Sequence, residues 1–353
     1  MKKLAVIGCG GIGGYHLDHL VKLDGTDVEL VGFCDIIPER AEGFAKKAGK
    51  GKAFADFKKM YDETKPDMVF ICVPPYKHGE IEFETIERGI HMFVEKPVSL
   101  DFGMAKKIRD KIAAKNLIAA SGFQCRYDNI NEPALKFIKN NEIIVMQGSR
   151  VGGVPEVDWW RKKDLSGGQL VEQTVHQMDL LRYLLGDIET VYSIPTRGFI
   201  KDAEWPGYDA DDASTSIFKF ACGITGTMMT GCYSLNGASW DSKMTFGTRG
   251  ARLDYILCSH VSIYGVDAQD VAEDIDGVVK GDGMQRRNEN EVGIRYKSSV
   301  DFGTICDKTF IDAVISGDPS KIRSPYCDAV KTLAVVLACN ESMETGQAVK
   351  VEI

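Results

Sequence analysis

Glu172, His176, Asp179 and Tyr183 are the side chains of this chain best suited to chemical work. In the stretch EQTVHQMDLLRYLLG, residues 172–186, they recur at i, i+4, i+7 and i+11. That spacing predicts one helix with a single polar stripe. Leu170, Leu181, Leu184 and Leu185 fall on the other side and predict a core-facing surface. An imidazole, with an unperturbed pKa of about 6.5, can take a proton at neutral pH, and a carboxylate beside it can orient it. Taken alone, this is the ordinary pattern of a solvated helix face. Only the rest of the chain can make it the wall of a cleft.

The elements that must position such a stripe begin at the N-terminus. Gly8-Cys9-Gly10-Gly11-Ile12-Gly13 is a G-x-G-x-x-G run that follows the apolar stretch KLAVIG and opens a helical pattern. In that context the first glycine permits a tight turn, the second lets the backbone approach a pyrophosphate, and the third lets helix and strand pack closely. The helix start, with Gly11 and Ile12, offers free N–H groups and a positive dipole end to phosphates. Asp35 ends a second apolar run about twenty residues later, where a carboxylate bonds ribose hydroxyls and repels a 2′-phosphate, so NAD is favoured over NADP. The neighbouring Arg40 reads either as a helix-surface charge or as a partner of the adenine. Val73, Pro74 and His78 follow a third buried run, DMVFICVPP, at the carboxyl edge where a dinucleotide lies; for His78 a helix-start role is equally open. The run IHMFVEKP ends in Glu95-Lys96-Pro97 at the same edge. A lysine there can set a positive charge near a reacting centre, and Pro97 stiffens the backbone and is a candidate for a cis bond. The plainer reading is a solvated lysine at a strand-to-loop junction.

Strands alternating with helices over residues 1–122 predict a doubly wound parallel sheet. From residue 123 to 353 the texture changes to two helices followed by strand-like runs joined by short glycine turns, as in FKFACGITGTMM and GTRGARL. These predict an antiparallel sheet. The fold class is therefore α/β, a parallel-sheet domain over 1–122 joined to an α+β domain over 123–353. Residues 266–300 read as long polar loops with one strand.

Composition removes several classes of function. The chain has 353 residues, 44% hydrophobic and 27% charged, with a net charge of −8. Mild acidity without basic runs argues against a nucleic-acid partner, and no apolar run approaches membrane-spanning length. The apolar part of the N-terminus is shorter than a signal peptide's and runs into glycines, so a cytoplasmic protein is expected. The ten cysteines show no C-x-x-C and no zinc spacing, so they read as reduced, buried thiols, and no metal is expected. Asp209, Asp211 and Asp212 read as a solvated loop, and His16 and His19 as ordinary helix residues.

GCGGIGGYH at 8–16, CDIIPERA at 34–41, VPPYKHGE at 73–80, VEKPVS at 94–99, GGQLVEQTVHQMDLLRYLLG at 167–186 and the ending NESMETGQAVKVEI together resemble the Gfo/Idh/MocA oxidoreductases. The resemblance covers nearly the whole chain. It implies a Rossmann domain, an open, mostly antiparallel C-terminal sheet, and a homo-oligomer (dimer or tetramer) built on that sheet. It also implies NAD(P)-linked redox chemistry on a sugar, polyol or glycoside. In the family the matching helix lines the cleft and its histidine is the usual acid/base. By resemblance that role falls on His176, with Lys96 polarising the reacting oxygen and Glu172 as a third catalytic candidate. Many members have Asp four residues before the histidine; Glu172 keeps the carboxylate but is one methylene longer, which leaves the substrate open. Substrate contacts are expected from Gln124, Arg126, Tyr127, Trp160, Arg161 and Asp179. Trp159 and Trp160 fit packing under a loop as well as a sugar face. Two other readings remain: a glycoside 3-position oxidoreductase that retains its cofactor, and a non-catalytic dinucleotide sensor, which would not need both Lys96 and His176.

Overall fold

The computed structural model describes residues 1–25, 28–267, 277–280 and 291–353. The chain opens β1 (Lys2–Ile7), α1 (Gly11–Leu23), β2 (Val28–Cys34), α2 (Pro38–Ala48), β3 (Lys52–Phe54), α3 (Phe57–Thr64), β4 (Met68–Ile71), α4 (Glu80–Glu87), β5 (His91–Val94), α5 (Phe102–Ala114) and β6 (Ala119–Ser121). The six strands form one sheet in the order β3-β2-β1-β4-β5-β6, and every pairing is parallel. Residues Met68–Ile71 of β4 are buried throughout, as a central parallel strand covered on both faces requires. In this half of the chain two elements escaped the sequence reading, as did the helix Phe302–Ser316 later on. β3 is three residues at the sheet edge with little apolar pattern, and α3 is announced mainly by its cap, Asp56, whose carboxylate accepts the N–H groups of Lys58 and Lys59.

The second half continues with α6 (Asn131–Asn140), β7 (Val145–Val151), α7 (Lys163–Ser166), α8 (Gly168–Glu172), α9 (Val175–Leu185), β8 (Ile188–Thr196), β9 (Ala213–Phe220), β10 (Thr225–Gly231), β11 (Asp241–Gly247), β12 (Arg252–Ile256), β13 (His260–Asp267), β14 (Gly277–Lys280) and β15 (Glu291–Lys297). It closes with α10 (Phe302–Ser316), α11 (Tyr326–Thr345) and β16 (Val349–Lys350). The second sheet runs β14-β15-β13-β12-β11-β7-β10-β9-β8-β16. Among the described residues only β7 with β10 is parallel; the remaining pairs are antiparallel. Both glycine-turn hairpins form as expected: β9–β10 closes with Phe220 N–H on the Ile224 carbonyl at 2.9 Å, and β11–β12 with Thr248 N–H on Ala251 at 3.0 Å. The polar stretch 266–300 supplies β14 and β15; its residues 268–276 and 281–290 lie outside the described residues.

The chain divides into two compact units, and the division departs from a break after residue 122. The first unit holds Met1–Tyr127 and also Asp301–Leu333; the second holds Asp128–Val300 and Ala334–Ile353. The reason is packing. Phe310 of α10 meets Phe70 and Phe93 at ring distances of 5.6 and 5.8 Å, and Cys306, Ile311 and Val314 join the same core as Leu4, Val6 and Leu17. The Ser121 N–H, at the end of β6, bonds the Ser324 carbonyl at 2.8 Å. An amphipathic helix late in a sequence does not declare which sheet it will cover.

Candidate active site

The glycine-rich turn is built as its spacing requires. Gly8 has φ +90°, and a Cβ on it falls 2.3 Å from the Cys72 carbonyl oxygen; on Gly13 it falls 2.1 Å from the Gly8 carbonyl oxygen. These two glycines are demanded by the protein itself. Gly10 and Gly11 are different: a Cβ on either meets nothing within 4 Å. Gly10 caps α1 and brings no side chain into the space before the first helical amides, and Ile12 is 38% exposed. A cradle with free amides and no side chains fits a dinucleotide pyrophosphate.

Asp35 directs both carboxylate oxygens at backbone N–H groups, Oδ2 at Cys9 at 2.7 Å and Oδ1 at Ile37 at 2.9 Å. It therefore ties the glycine turn to the end of β2 and stands, nearly buried, beside the cradle. Arg40 is exposed on the first turn of α2. Val73 and Pro74 are half-buried after β4. Of the two roles open to His78, a dinucleotide contact and a helix start, the structure favours the second, because its side chain is fully buried. Its Nδ1 lies 2.6 Å from Glu82, whose other oxygen accepts the Gly79 N–H at 2.5 Å. His78 thus starts α4 and does not present a surface to a ligand.

Glu95-Lys96-Pro97 follows β5, and the Lys96–Pro97 bond is cis. Lys96 is half-buried, and its N–H donates to Oε2 of Glu95 at 3.1 Å. Oε1 of Glu95 lies 2.9 Å from Nε2 of His16, whose Nδ1 is 2.9 Å from both oxygens of Asp307; His19 Nδ1 is 2.7 Å from Asp307 Oδ2. His16 and His19 are therefore not ordinary helix residues but members of a buried ionic cluster. A signal for His16 existed: it continues the stripe Gly13, Leu17, Leu20 that faces the sheet. Nothing local marked Asp307 as its partner, because the two are far apart in sequence.

In the second unit the stretch 172–186 is not one helix. α8 ends at Glu172, Gln173 and Thr174 turn, and α9 begins at Val175. Thr174 Oγ1 is hydrogen-bonded to Thr230 Oγ1 of β10, and this tie to the sheet accompanies the break. The stripe is not solvated either: Glu172 and Asp179 are buried, while His176 and Tyr183 are half-buried. Leu170, Leu181 and Leu184 are buried as expected, and Leu185 half-buried. Oε2 of Glu172 accepts the indole N–H of Trp160 at 2.8 Å and the Gln173 amide.

Several expected substrate contacts carry structure instead. Trp160 is 1% exposed and packs with Val154 and Cys232, so its ring face is not offered to a sugar. Arg126 is buried, giving Nη1 to the Arg323 carbonyl at 2.7 Å and Nη2 to Asp328 at 2.5 Å. Tyr127 is buried, and its hydroxyl oxygen accepts the Arg323 N–H at 2.9 Å. These two bind 301–333 to the first unit. Gln124 is half-buried and accepts the Tyr15 hydroxyl at 2.7 Å. Arg161 is half-buried over the Trp205 ring at 5.1 Å. Asp211 and Asp212 are not a solvated loop: Asp211 pairs with Lys163 and Arg197, and Asp212 accepts the Phe199 N–H at 2.6 Å. No helix among the described residues is long and apolar enough to cross a membrane.

Comparison with known proteins agrees with this architecture. Residues 2–123 match the oxidoreductase family's NAD-binding Rossmann fold, and residues 136–353 match its C-terminal alpha/beta domain. The chain is 25% identical to myo-inositol 2-dehydrogenase of Thermotoga maritima, over 99% of this chain and 98% of that one. It is 32% identical to scyllo-inositol 2-dehydrogenase (NAD(+)) of Bacillus subtilis over 231 residues, covering 64% of this chain and 65% of that relative. The crystal structure of myo-inositol 2-dehydrogenase from Lactobacillus plantarum superposes with a TM-score of 0.78 at 22% identity, covering 99% of each chain, which is a likeness of fold. With both of its domains matched in order along nearly the whole length, this chain belongs to the Gfo/Idh/MocA oxidoreductase family.

Proposed function

We propose that the protein is an NAD-dependent dehydrogenase acting on a secondary alcohol of a sugar, polyol or glycoside. The observation that carries this reading is the state of the polar stripe. His176 is half-buried in the first turn of α9, with the buried carboxylate of Asp179 one turn further along the same helix and the buried Glu172 four residues earlier in sequence, at the end of α8. A titratable ring kept partly accessible among buried acids is suited to exchanging a proton with a ligand. His176 takes the hydroxyl proton of the substrate, and the Lys96 ammonium stabilises the oxygen as negative charge develops on it. Glu172, held by Trp160 and Gln173, is the carboxylate we assign to favouring the imidazolium that forms on His176. Arg161 and Gln124, both half-buried, are the polar side chains we assign to substrate hydroxyls; Asp179, buried like Trp160, is not among them. The amides at the start of α1 with Gly10 and Gly11 hold the pyrophosphate, and Asp35 takes the adenosine ribose. Arg40, Val73, Pro74 and the backbone of Glu95-Lys96 complete the dinucleotide edge. The nicotinamide, when bound, supplies the hydride acceptor.

The test is a panel of inositols, sugars and glycosides with NAD, following NADH absorbance, on the wild type and on His176→Ala. Turnover on the best substrate is expected to fall on the order of 10²–10⁴-fold, with NAD affinity nearly unchanged. An unchanged rate removes His176 from the chemistry. A single burst of reduction without turnover identifies a protein that retains its cofactor.

A further inference from the structure

We propose that His16 is a positioning residue for the reactive lysine loop: clamped between Glu95 and Asp307, it holds the Glu95 carboxylate in the orientation that accepts the Lys96 backbone N–H. This rests on the assignment of Lys96 to the reacting oxygen.

The geometry is specific. Both ring nitrogens of His16 face carboxylate oxygens at 2.9 Å, Nε2 toward Glu95 and Nδ1 toward Asp307. Ionised carboxylates only accept, so both nitrogens must donate, and His16 is an imidazolium. All three groups are nearly or fully buried. Burial opposes that charge, but Asp307 and Glu95 outweigh it and raise the ring's pKa to about 10. The groups facing His16 are Tyr15 and His19 on α1, the Phe70 and Phe93 rings, Glu95, and Asp307 of α10. Glu95 has little freedom of its own. A Cβ on Gly122 falls 1.9 Å from its Oε1, so the backbone after β6 lies close against the carboxylate and leaves it no room on that side. With Oε1 pinned by His16, Oε2 is left to receive Lys96 at 3.1 Å. A tetrahedral metal ion would set its ligand atoms roughly 3.3 Å apart. Each histidine Nδ1 stands 2.7–2.9 Å from an Asp307 oxygen, which is hydrogen-bond spacing, so the cluster reads as an ion-pair clamp.

His16→Gln removes the cation while retaining a donor. It leaves Glu95 without its charged partner, and the Lys96 backbone is then free to shift. A misplacement on the order of 1 Å can lower turnover on the order of 100-fold. We expect kcat to fall about 10–100-fold, with substrate KM and NAD affinity within about threefold of wild type. The double variant His16→Gln/Glu95→Gln, in which two amides face each other and Asp307 keeps His19, should recover part of the loss. A residue that only fills space would give additive effects instead. Two readouts do not depend on activity. In the wild type both His16 ring nitrogens should carry protons at pH 8 by ¹⁵N NMR, and the Lys96 amide should exchange slowly with solvent and faster in His16→Gln. If His16→Gln does not fold, Glu95→Gln and the wild-type ring spectrum carry the test. A ring that titrates near pH 6.5, or a His16→Gln enzyme with wild-type kcat and Lys96 protection, overturns the proposal. If Lys96→Ala leaves turnover intact, the role of Lys96 fails, and amide exchange still decides whether His16 orders the loop.

Discussion

Gly10 and Gly13 stand three residues apart in the same turn, and a methyl group on each should have opposite consequences. On Gly13 it falls 2.1 Å from the Gly8 carbonyl oxygen, more than 1 Å short of ordinary contact. The obstacle is backbone, which cannot rotate aside. Alanine improves helix propensity by up to about 1 kcal/mol, but overpacking of this kind costs about 1–3 kcal/mol. The net expectation is a loss of up to about 2 kcal/mol, a fall in Tm of about 4–8 °C at most, and a turn displaced from the phosphates. On Gly10 the methyl meets nothing, and φ is −86°, an angle alanine accepts. Stability should stay level or rise by a few tenths of a kcal/mol, because the unfolded chain loses freedom. The methyl instead enters the space in front of the α1 amides. Losing one charge-assisted hydrogen bond of about 1.5–3 kcal/mol weakens NAD on the order of 10–100-fold. The assay is thermal unfolding with and without NAD, beside a fluorescence titration with NADH. Gly10→Ala should unfold like the wild type without NAD and lose the shift that NAD confers. If Gly10→Ala binds NAD as tightly as the wild type, the pyrophosphate does not lie against this turn, and the cradle has been misread.

Asp35 should make the protein bind NAD more tightly than NADP, since a 2′-phosphate would approach a carboxylate locked by Cys9 and Ile37; equal affinities in parallel titrations would contradict this. The second sheet should assemble the protein into a homo-oligomer. Its solvent face carries rows such as Tyr192–Ile217–Thr227 and Ile194–Thr215–Met229, with Ile194 55% and Ile217 50% exposed, and a monomer in sedimentation at micromolar concentration would refute the assembly. Stability should also depend on alkaline pH through His16. Its folded pKa of about 10 lies above the unfolded value, so its stabilisation is complete below about pH 6.5 and is lost as pH rises through 10. Denaturant midpoints should fall between pH 7 and 10, and His16→Gln should flatten that slope; a wild-type profile already flat would count against the buried imidazolium.

Much of this protein is legible in its sequence, because the signals concerned are local. The glycine spacing, the fully apolar β4, Pro38 at the start of α2 and the glycine turns after Phe220 and Gly247 each report on a few neighbouring residues. Backbone sterics and strand or helix periodicity act over that range, so the doubly wound sheet, the antiparallel sheet and the dinucleotide turn follow from it. The tertiary structure decided what depends on distant partners. Whether Trp160 offers its face to a ligand depends on Cys232 and Glu172. Whether Arg126 binds substrate or ties the chain depends on Arg323 and Asp328. Thr174 is tied to Thr230 where EQTVHQMDLLRYLLG divides. His16 becomes a charged clamp only because α10 brings Asp307 to it across nearly the whole length of the chain. A polar side chain's role is set by what neutralises it when water is removed, and in this fold that partner is seldom near in sequence.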